Sequence, residues 1–369
     1  MRKLARNGSD TAEYRLPDAV KTAAPALAGI VVRPRLDARL AEIAAPAKWV
    51  VAPSGTGKST AVASYARSTK RTVVWYRLDP RDDDSAYFYR ELGSALAAAV
   101  GKAPSLPRFL PEDREREGQF AQRFAAAFHS ASRKQLIVVF DDAHKVRERA
   151  RQDSLARLAA LADMGTEFIF IATASAPSAF FDAIASRRLA LCNDLPLEFE
   201  PEECVALAGG LRLARPDGEA LAALTGGHAA ALVLACELLR GSGSSPTANQ
   251  DVVDQIHLHL LDRMLDAAPA PRRDLLERTA FAPQITPALA LDLAGEEAAA
   301  ELEALADRGL LRRIANYGGP IYEAHGLVRR GMQALVQKRH GDVDAQKGLH
   351  SRLRLHFGDT ERTRMHSQY

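Results

Sequence analysis

Sulfur chemistry is scarce in this chain: Cys192, Cys204 and Cys236 are the only cysteines in 369 residues. An odd, widely spaced set builds neither a disulfide framework nor a zinc pattern. Small buried hydrophobes in a reducing, cytoplasmic setting are expected. Long apolar runs are missing too. No stretch approaches the roughly 18–20 uninterrupted apolar residues of a membrane helix. The opening Met1-Arg2-Lys3-Leu4-Ala5-Arg6 is basic, but residues 7–15 are polar where a signal peptide carries its apolar segment. Neither secretion nor a membrane partner is expected. No charge sign dominates, with 49 basic against 46 acidic residues and a net charge of +3, too little to argue for nucleic acid by itself. The sequence has no His-Glu-x-x-His, no paired Cys-x-x-Cys and no Gly-x-Ser-x-Gly elbow. His257-Leu258-His259 is no metal pair, because residues two apart do not share a helix face.

What is present is an ordinary globular composition, 47% hydrophobic and 26% charged, long enough for about two to three domains. Residues 1–30 read as a flexible leader, polar and then rich in Ala and Pro. Apolar runs at 48–52, 72–78, 136–140 and 168–173, with a weaker one at 195–199, predict five strands. Between them, 58–67, 85–100, the Phe120, Phe124 and Phe128 stripe, and 155–164 predict helices, with a loop at 101–117. Strands alternating with helices predict an α/β fold with a mostly parallel sheet covered on both faces. From Glu200 the pattern turns helical, over 200–208, 217–224, 228–240, 250–266, 271–280, 286–293 and 297–308. The Gly/Ser run at 241–246 reads as a flexible joint. Residues 310–314 and 321–323 around Gly318-Gly319-Pro320 suggest a hairpin among helices, the outline of a winged helix. The expected division is a P-loop domain at 31–200, a helical domain at 201–245, a winged-helix-like domain at 246–340 and a C-terminal helix and tail at 341–369.

The sharpest signal is Ala52-Pro53-Ser54-Gly55-Thr56-Gly57-Lys58-Ser59-Thr60, between a predicted strand and a predicted helix. Phosphate-binding loops read G-x-x-x-x-G-K-[ST] in that context. Ala52 replaces the first glycine. Gly55 and Gly57 still supply the permissive backbone that lets successive N–H groups curl around a phosphate at a helix N-terminus. Residues 54–60 therefore read as the nucleotide-binding segment. Lys58 is expected on the β- and γ-phosphates, and the Ser59 hydroxyl on Mg²⁺. The second signal is Leu136-Ile137-Val138-Val139-Phe140-Asp141-Asp142, an apolar strand ending in two carboxylates. Asp141 is expected to hold the Mg²⁺ shell and Asp142 to polarise the attacking water as general base.

Over about 31–357 the residues resemble the nucleotide-binding module of bacterial signal-transduction ATPases with numerous domains (STAND), found in large LuxR-type and maltose-activator-type transcriptional regulators. The resemblance is carried by Val32-Arg33-Pro34-Arg35-Leu36, the loop at 52–59, Val74 to Asp79 with Asp82-Asp83-Asp84 and Phe88, Asp141-Asp142-Ala143-His144, Thr225 to Leu232, and Tyr322 to Val328. It implies an additional-strand P-loop sheet, a helical domain and a winged helix, with ATP or ADP and Mg²⁺ as cofactors. It also implies a switch in which ADP locks a resting form and exchange to ATP with an inducer permits self-association or partner binding. Arg33 and Pro34 match the segment near the adenine. His325 matches a winged-helix histidine that contacts the ADP β-phosphate; an ordinary surface or core histidine is the plainer reading. The family's sensor arginine after the fourth strand is missing at Thr173-Ala174-Ser175, with Arg187 or Arg188 as substitutes, and the helical-domain proline is absent, with Ala230 nearby. Repeats and a DNA-binding domain, which follow in large members, have no room before Tyr369. The basic residues Arg329, Arg330, Lys338, Arg339, Lys347, Arg352 and Arg354 read as a solvated face, a DNA contact or a surface for a further partner. The alternatives are a winged-helix DNA-binding ATPase resembling origin-recognition loaders, and a truncated regulator that binds nucleotide without turnover.

Overall fold

The computed structural model describes residues 19–26, 30–101, 105–131, 136–160, 166–213, 217–242, 258, 261, 270–307, 310–314, 319–324 and 326–339. Contacts divide the chain into two compact units. One comprises Met1–Ala28, Val32–Ala52 and Lys58–Pro196; the other comprises Gly29–Val31, Pro53–Gly57 and Leu197–Tyr369.

In the first unit, five parallel strands form one sheet: β1 (Ala47–Val51), β2 (Thr72–Arg77), β3 (Leu136–Asp141), β4 (Thr166–Ala172) and β5 (Leu189–Cys192). Their order is β2-β3-β4-β1-β5. Strand β4 therefore stands between β1, which leads into the glycine-rich loop, and β3, which ends in the carboxylates. This is a P-loop NTPase sheet with an inserted strand. β3 and β4, apolar through their middles, are buried along their whole length, as strands covered on both faces are.

The helices of this unit are α1 (Ala19–Thr22), α2 (Pro34–Glu42), α3 (Lys58–Ser68), α4 (Ser85–Val100), α5 (Glu117–Ala131), α6 (Arg149–Ala160) and α7 (Phe181–Ala185). The Phe120, Phe124 and Phe128 stripe of α5 is fully buried, and Phe120 and Phe124 pack on Tyr89 of α4. On the other face, Val62, Tyr65 and Ala66 of α3 pack with Val50, Ile137 and Ile169.

Four expectations change. The fifth strand is Leu189–Cys192 and not 195–199. Its Leu189 pairs with Ala47, whereas Pro196 in the later run has no N–H to give a sheet. The fourth helix pattern begins earlier, at Arg149, and 161–165 lie outside the described residues. Within 101–117, Pro111–Arg116 forms a 3₁₀ turn. Part of the expected leader is anchored: Lys21 is buried, with its ammonium 2.6 Å from Asp82 Oδ2 and 4.7 Å from the centre of the Tyr76 ring.

The second unit carries α8 (Pro201–Gly210), α9 (Gly218–Thr225), α10 (Ala229–Ser242), α11 (Ala270–Arg278), α12 (Pro287–Ala299), α13 (Glu301–Asp307) and α14 (Gly326–Arg339). Strands β6 (Leu311–Ile314) and β7 (Ile321–Ala324) pair antiparallel, Leu311 opposite Ala324. One apolar cluster joins α8, α9 and α10 through Cys204, Leu221 and Leu232. Another gathers Leu275, Leu289, Leu305, Tyr322 and Val328. All three cysteines are buried and unpaired, with thiols pushed up to about 11 by burial. The His257 and His259 pair, residues 243–246, most of 250–266 and 341–369 lie outside the described residues. Among the described residues, no single helix is long and apolar enough to cross a membrane.

Candidate functional site

Strand β1 is apolar because it runs through the middle of the sheet, and it delivers the chain to the sheet's C-terminal edge, where parallel α/β folds bind ligands. The next residues cannot continue the strand: Pro53 lacks an N–H, and Gly55 and Gly57 adopt φ of +80° and +89°. Thr56 closes the turn by donating from Oγ1 to the Pro53 carbonyl at 2.9 Å. Helix α3 then starts at Lys58, so its unpaired N–H groups begin at the motif. The chain passes between the two compact units inside the motif, at Ala52–Pro53 and again at Gly57–Lys58.

Lys58 is buried, and its ammonium donates to the Ala52 carbonyl at 2.6 Å. Burial pulls its pKa down to about 8, with Asp141 and Asp142 opposing that drop. One residue on, Ser59 Oγ donates to Asp141 Oδ1 at 2.8 Å. The two residues expected on Mg²⁺ are therefore in direct contact. Asp141 is 2% exposed and its pKa is raised, chiefly by burial, against the Ser59 hydrogen bond. Its second oxygen lies 3.6 Å from an Arg77 guanidinium nitrogen on the neighbouring strand.

Asp142 leaves the strand with φ of 62°, a left-handed turn that aspartate tolerates. Lys145 donates to its carboxylate at 2.7 Å. Thr60 sits half-buried in the first turn of α3, and Ser54 is exposed. Arg33 is buried just ahead of α2, where its carbonyl accepts the Leu36 N–H, while Pro34 is exposed at the first helical position. Helix α2 is tied to α3 by Ser64 Oγ donating to Asp37 Oδ2 at 3.2 Å. His325 lies outside the described residues.

Three side chains near these positions had no role assigned from sequence. Arg77 faces Asp141 because Thr72 registers with Leu136, and a pairing register is not written in either strand alone. His144 Nδ1 accepts the Thr173 N–H at 3.3 Å, linking the turn after the carboxylates to the end of the inserted strand. Burial lowers its pKa. His228 Nε2 stands 3.1 Å from the Ser54 carbonyl; its glycine-flanked place in 225–232 was the available signal. Arg187 and Arg188 do not replace the missing sensor arginine. They lead into β5, and the Arg188 carbonyl accepts the Ala47 N–H at the start of β1, the sheet end away from the loop.

The donor set fits a nucleotide with magnesium. Among the described residues no group of three His, Cys, Asp or Glu side chains is placed to hold a metal alone. A hydroxyl and one carboxylate beside a phosphate-binding turn are what Mg²⁺ ordinarily takes from a protein, the rest coming from water and phosphate. Inserted strand, loop and carboxylate pair together define a P-loop ATPase module.

Comparison with known proteins agrees. The family model described as "AAA domain" matches residues 47–180, from β1 past the end of β4. Over those residues the chain is similar to AAA-type P-loop ATPase modules, which bind nucleotide, typically with Mg²⁺. Serine/threonine-protein kinase PknK of Mycobacterium tuberculosis is 31% identical over 277 residues, covering 70% of this chain and 24% of that protein. The Mycobacterium bovis kinase of the same name matches equally. The chain thus spans about a quarter of the length of these relatives. Among solved structures, the Thermotoga maritima RuvB Holliday junction branch migration motor is 15% identical with a TM-score of 0.38, over 82% of this chain and 91% of that one. Drosophila ORC bound to AT-rich DNA and Cdc6 is 11% identical with a TM-score of 0.29, over 83% and 90%. Scores that low carry no functional argument.

Proposed function

We propose that this chain is a STAND-like ATP/ADP switch whose nucleotide state controls self-association or the binding of a protein partner in signal transduction, with transcriptional regulation as its setting. The observation that carries the reading is the Ser59–Asp141 hydrogen bond of 2.8 Å, which joins the loop's helix to the acidic strand. The match to one quarter of a large bacterial kinase favours a module that bigger signalling proteins also carry. The β6–β7 hairpin, between helices α11 to α13 and helix α14, supports reading 246–340 as winged-helix-like. Arg329 donates to the Pro283 carbonyl at 2.8 Å, which favours a structural use of that arginine over DNA contact.

In this reading residues 54–60 cradle the phosphates and Lys58 neutralises their charge. Ser59 and Asp141 hold Mg²⁺, which when bound offsets charge developing on the transferred phosphoryl group. Asp142 orients water. The Asp142 carboxylate is engaged by Lys145 and no arginine stands directly after β4, at Thr173-Ala174-Ser175, so slow hydrolysis is expected, as befits a switch. Arg33, Pro34 and His325 are proposed as further nucleotide contacts. Calorimetry with ADP tests the core of the proposal: wild type binds and Lys58→Ala does not. Undiminished binding by Lys58→Ala removes it. Sizes of the ADP-loaded and ATP-loaded protein, if identical at all concentrations, remove the switch.

A further inference from the structure

The N-terminal turn of α10 touches the glycine-rich loop from behind. Pro53–Gly57 and Leu197–Tyr369 belong to one compact unit. Two donors on this turn meet two consecutive loop carbonyls: His228 Nε2 lies 3.1 Å from Ser54 O, and Ala230 N lies 3.0 Å from Gly55 O. The histidine's other nitrogen, Nδ1, accepts the Ala231 N–H at 3.4 Å, which leaves the proton on Nε2. His228 is 4% exposed. The packing is so close that a Cβ on Gly55 would stand 2.8 Å from His228 Cε1 and 3.1 Å from Ala230 Cβ. Gly55 is thus demanded twice, by its φ of +80° and by the imidazole against it.

A trans peptide is planar, and its C=O and N–H point in opposite directions. Fixing the Ser54 carbonyl toward His228 aims the Gly55 N–H away from α10. Fixing the Gly55 carbonyl toward Ala230 does the same for the Thr56 N–H. Consecutive N–H groups held to one side form an anion-binding concavity. We infer that His228 is a positioning residue for phosphate binding, presetting the Gly55 and Thr56 amides through the loop's carbonyls without touching the ligand. The inference rests on the nucleotide-binding reading above and adds that the phosphate cradle is assembled only with α10 in place.

The experiment compares ADP with adenosine, since only the former uses the cradle. His228→Leu and His228→Phe remove the donor, the second keeping a ring against Gly55; His228→Gln restores an N–H. Thermal melts identify the folded variants. Expected are a loss of about tenfold or more in ADP affinity for Leu and Phe, unchanged adenosine affinity, and recovery in Gln. ADP affinity within about twofold of wild type, or equal losses for ADP and adenosine, overturns the inference while leaving the nucleotide reading intact. Failure of wild type itself to bind ADP overturns both. Nitrogen NMR of the wild-type imidazole is an independent check: the Nε2-protonated form is required, and an Nδ1-protonated ring refutes the hydrogen bond.

Discussion

Lys58 should make the ligand-free protein less stable than it could be. The residue is 8% exposed, and burial brings its pKa from the usual 10.5 to about 8. That drop corresponds to roughly 3 kcal/mol against the charged form. The hydrogen bond to Ala52 is lost on substitution, so Lys58→Met in metal-free buffer should gain about 1–3 kcal/mol at pH 7. A melting point higher by about 2–4 °C per kcal/mol follows for a unit of this size. The sign with pH is definite. Below pH 8 the lysine is charged in both folded and unfolded chains, and the folded chain carries the whole penalty. Between about 8 and 10.5 the folded lysine sheds its proton first, the unfolded chain binds more protons, and stability rises with pH. Above 10.5 nothing further changes. The Met variant lacks that rise, and subtraction removes every other titrating group. Saturating ADP, at about a hundred times its Kd, should then stabilise wild type by about 2.7 kcal/mol and the variant not at all. The ranking of the two proteins narrows or reverses with ligand. A Met variant that melts below ligand-free wild type, or pH ramps that run parallel, would refute the reasoning.

Asp142→Asn should retain ATP affinity and lower turnover by about 10²–10⁴-fold, because asparagine also accepts the left-handed backbone at φ 62°; a phosphate-release assay with unchanged rate discards Asp142 as base. Glu167 accepts from Lys48, Tyr65 and Arg71, and Lys48 is 3% exposed, so Glu167→Ala should cost about 3–5 kcal/mol in urea unfolding and Glu167→Gln less. Gly227→Ala should cost more than the roughly 1–2 kcal/mol of its left-handed backbone, because a Cβ there would stand 2.7 Å from the Phe199 carbonyl; loss of ADP binding together with a lowered melting point is the expected readout.

Local patterns in the chain mark what local physics decides. Strands β1 to β4 announce themselves by length and β-branched or aromatic content, and the loop at 54–60 by glycines between strand and helix. The Asp141-Asp142 pair is legible for the same reason. Positions set by packing are not. β5 is four residues long, without β-branched side chains, and owes its place to pairing with β1. Arg77 reaches Asp141 only through a cross-strand register. His228 meets Ser54 across a separation of 174 residues, which no window of sequence spans. Lys21 looked like part of a polar leader because the aromatic and acidic groups that receive it lie more than fifty residues downstream.

That anchored lysine has a practical consequence. β2 is an outer strand of the sheet, and α1 packs against it. An uncovered strand edge is a template on which another chain can build. Shortened versions that begin after Thr22 would lose the packing of α1 on this outer strand and leave Asp82 without its cation. Adhesion of such fragments through their sheets would imitate ligand-driven assembly in any sizing column, so the proposed switch is properly measured with Ala19–Thr22 in place.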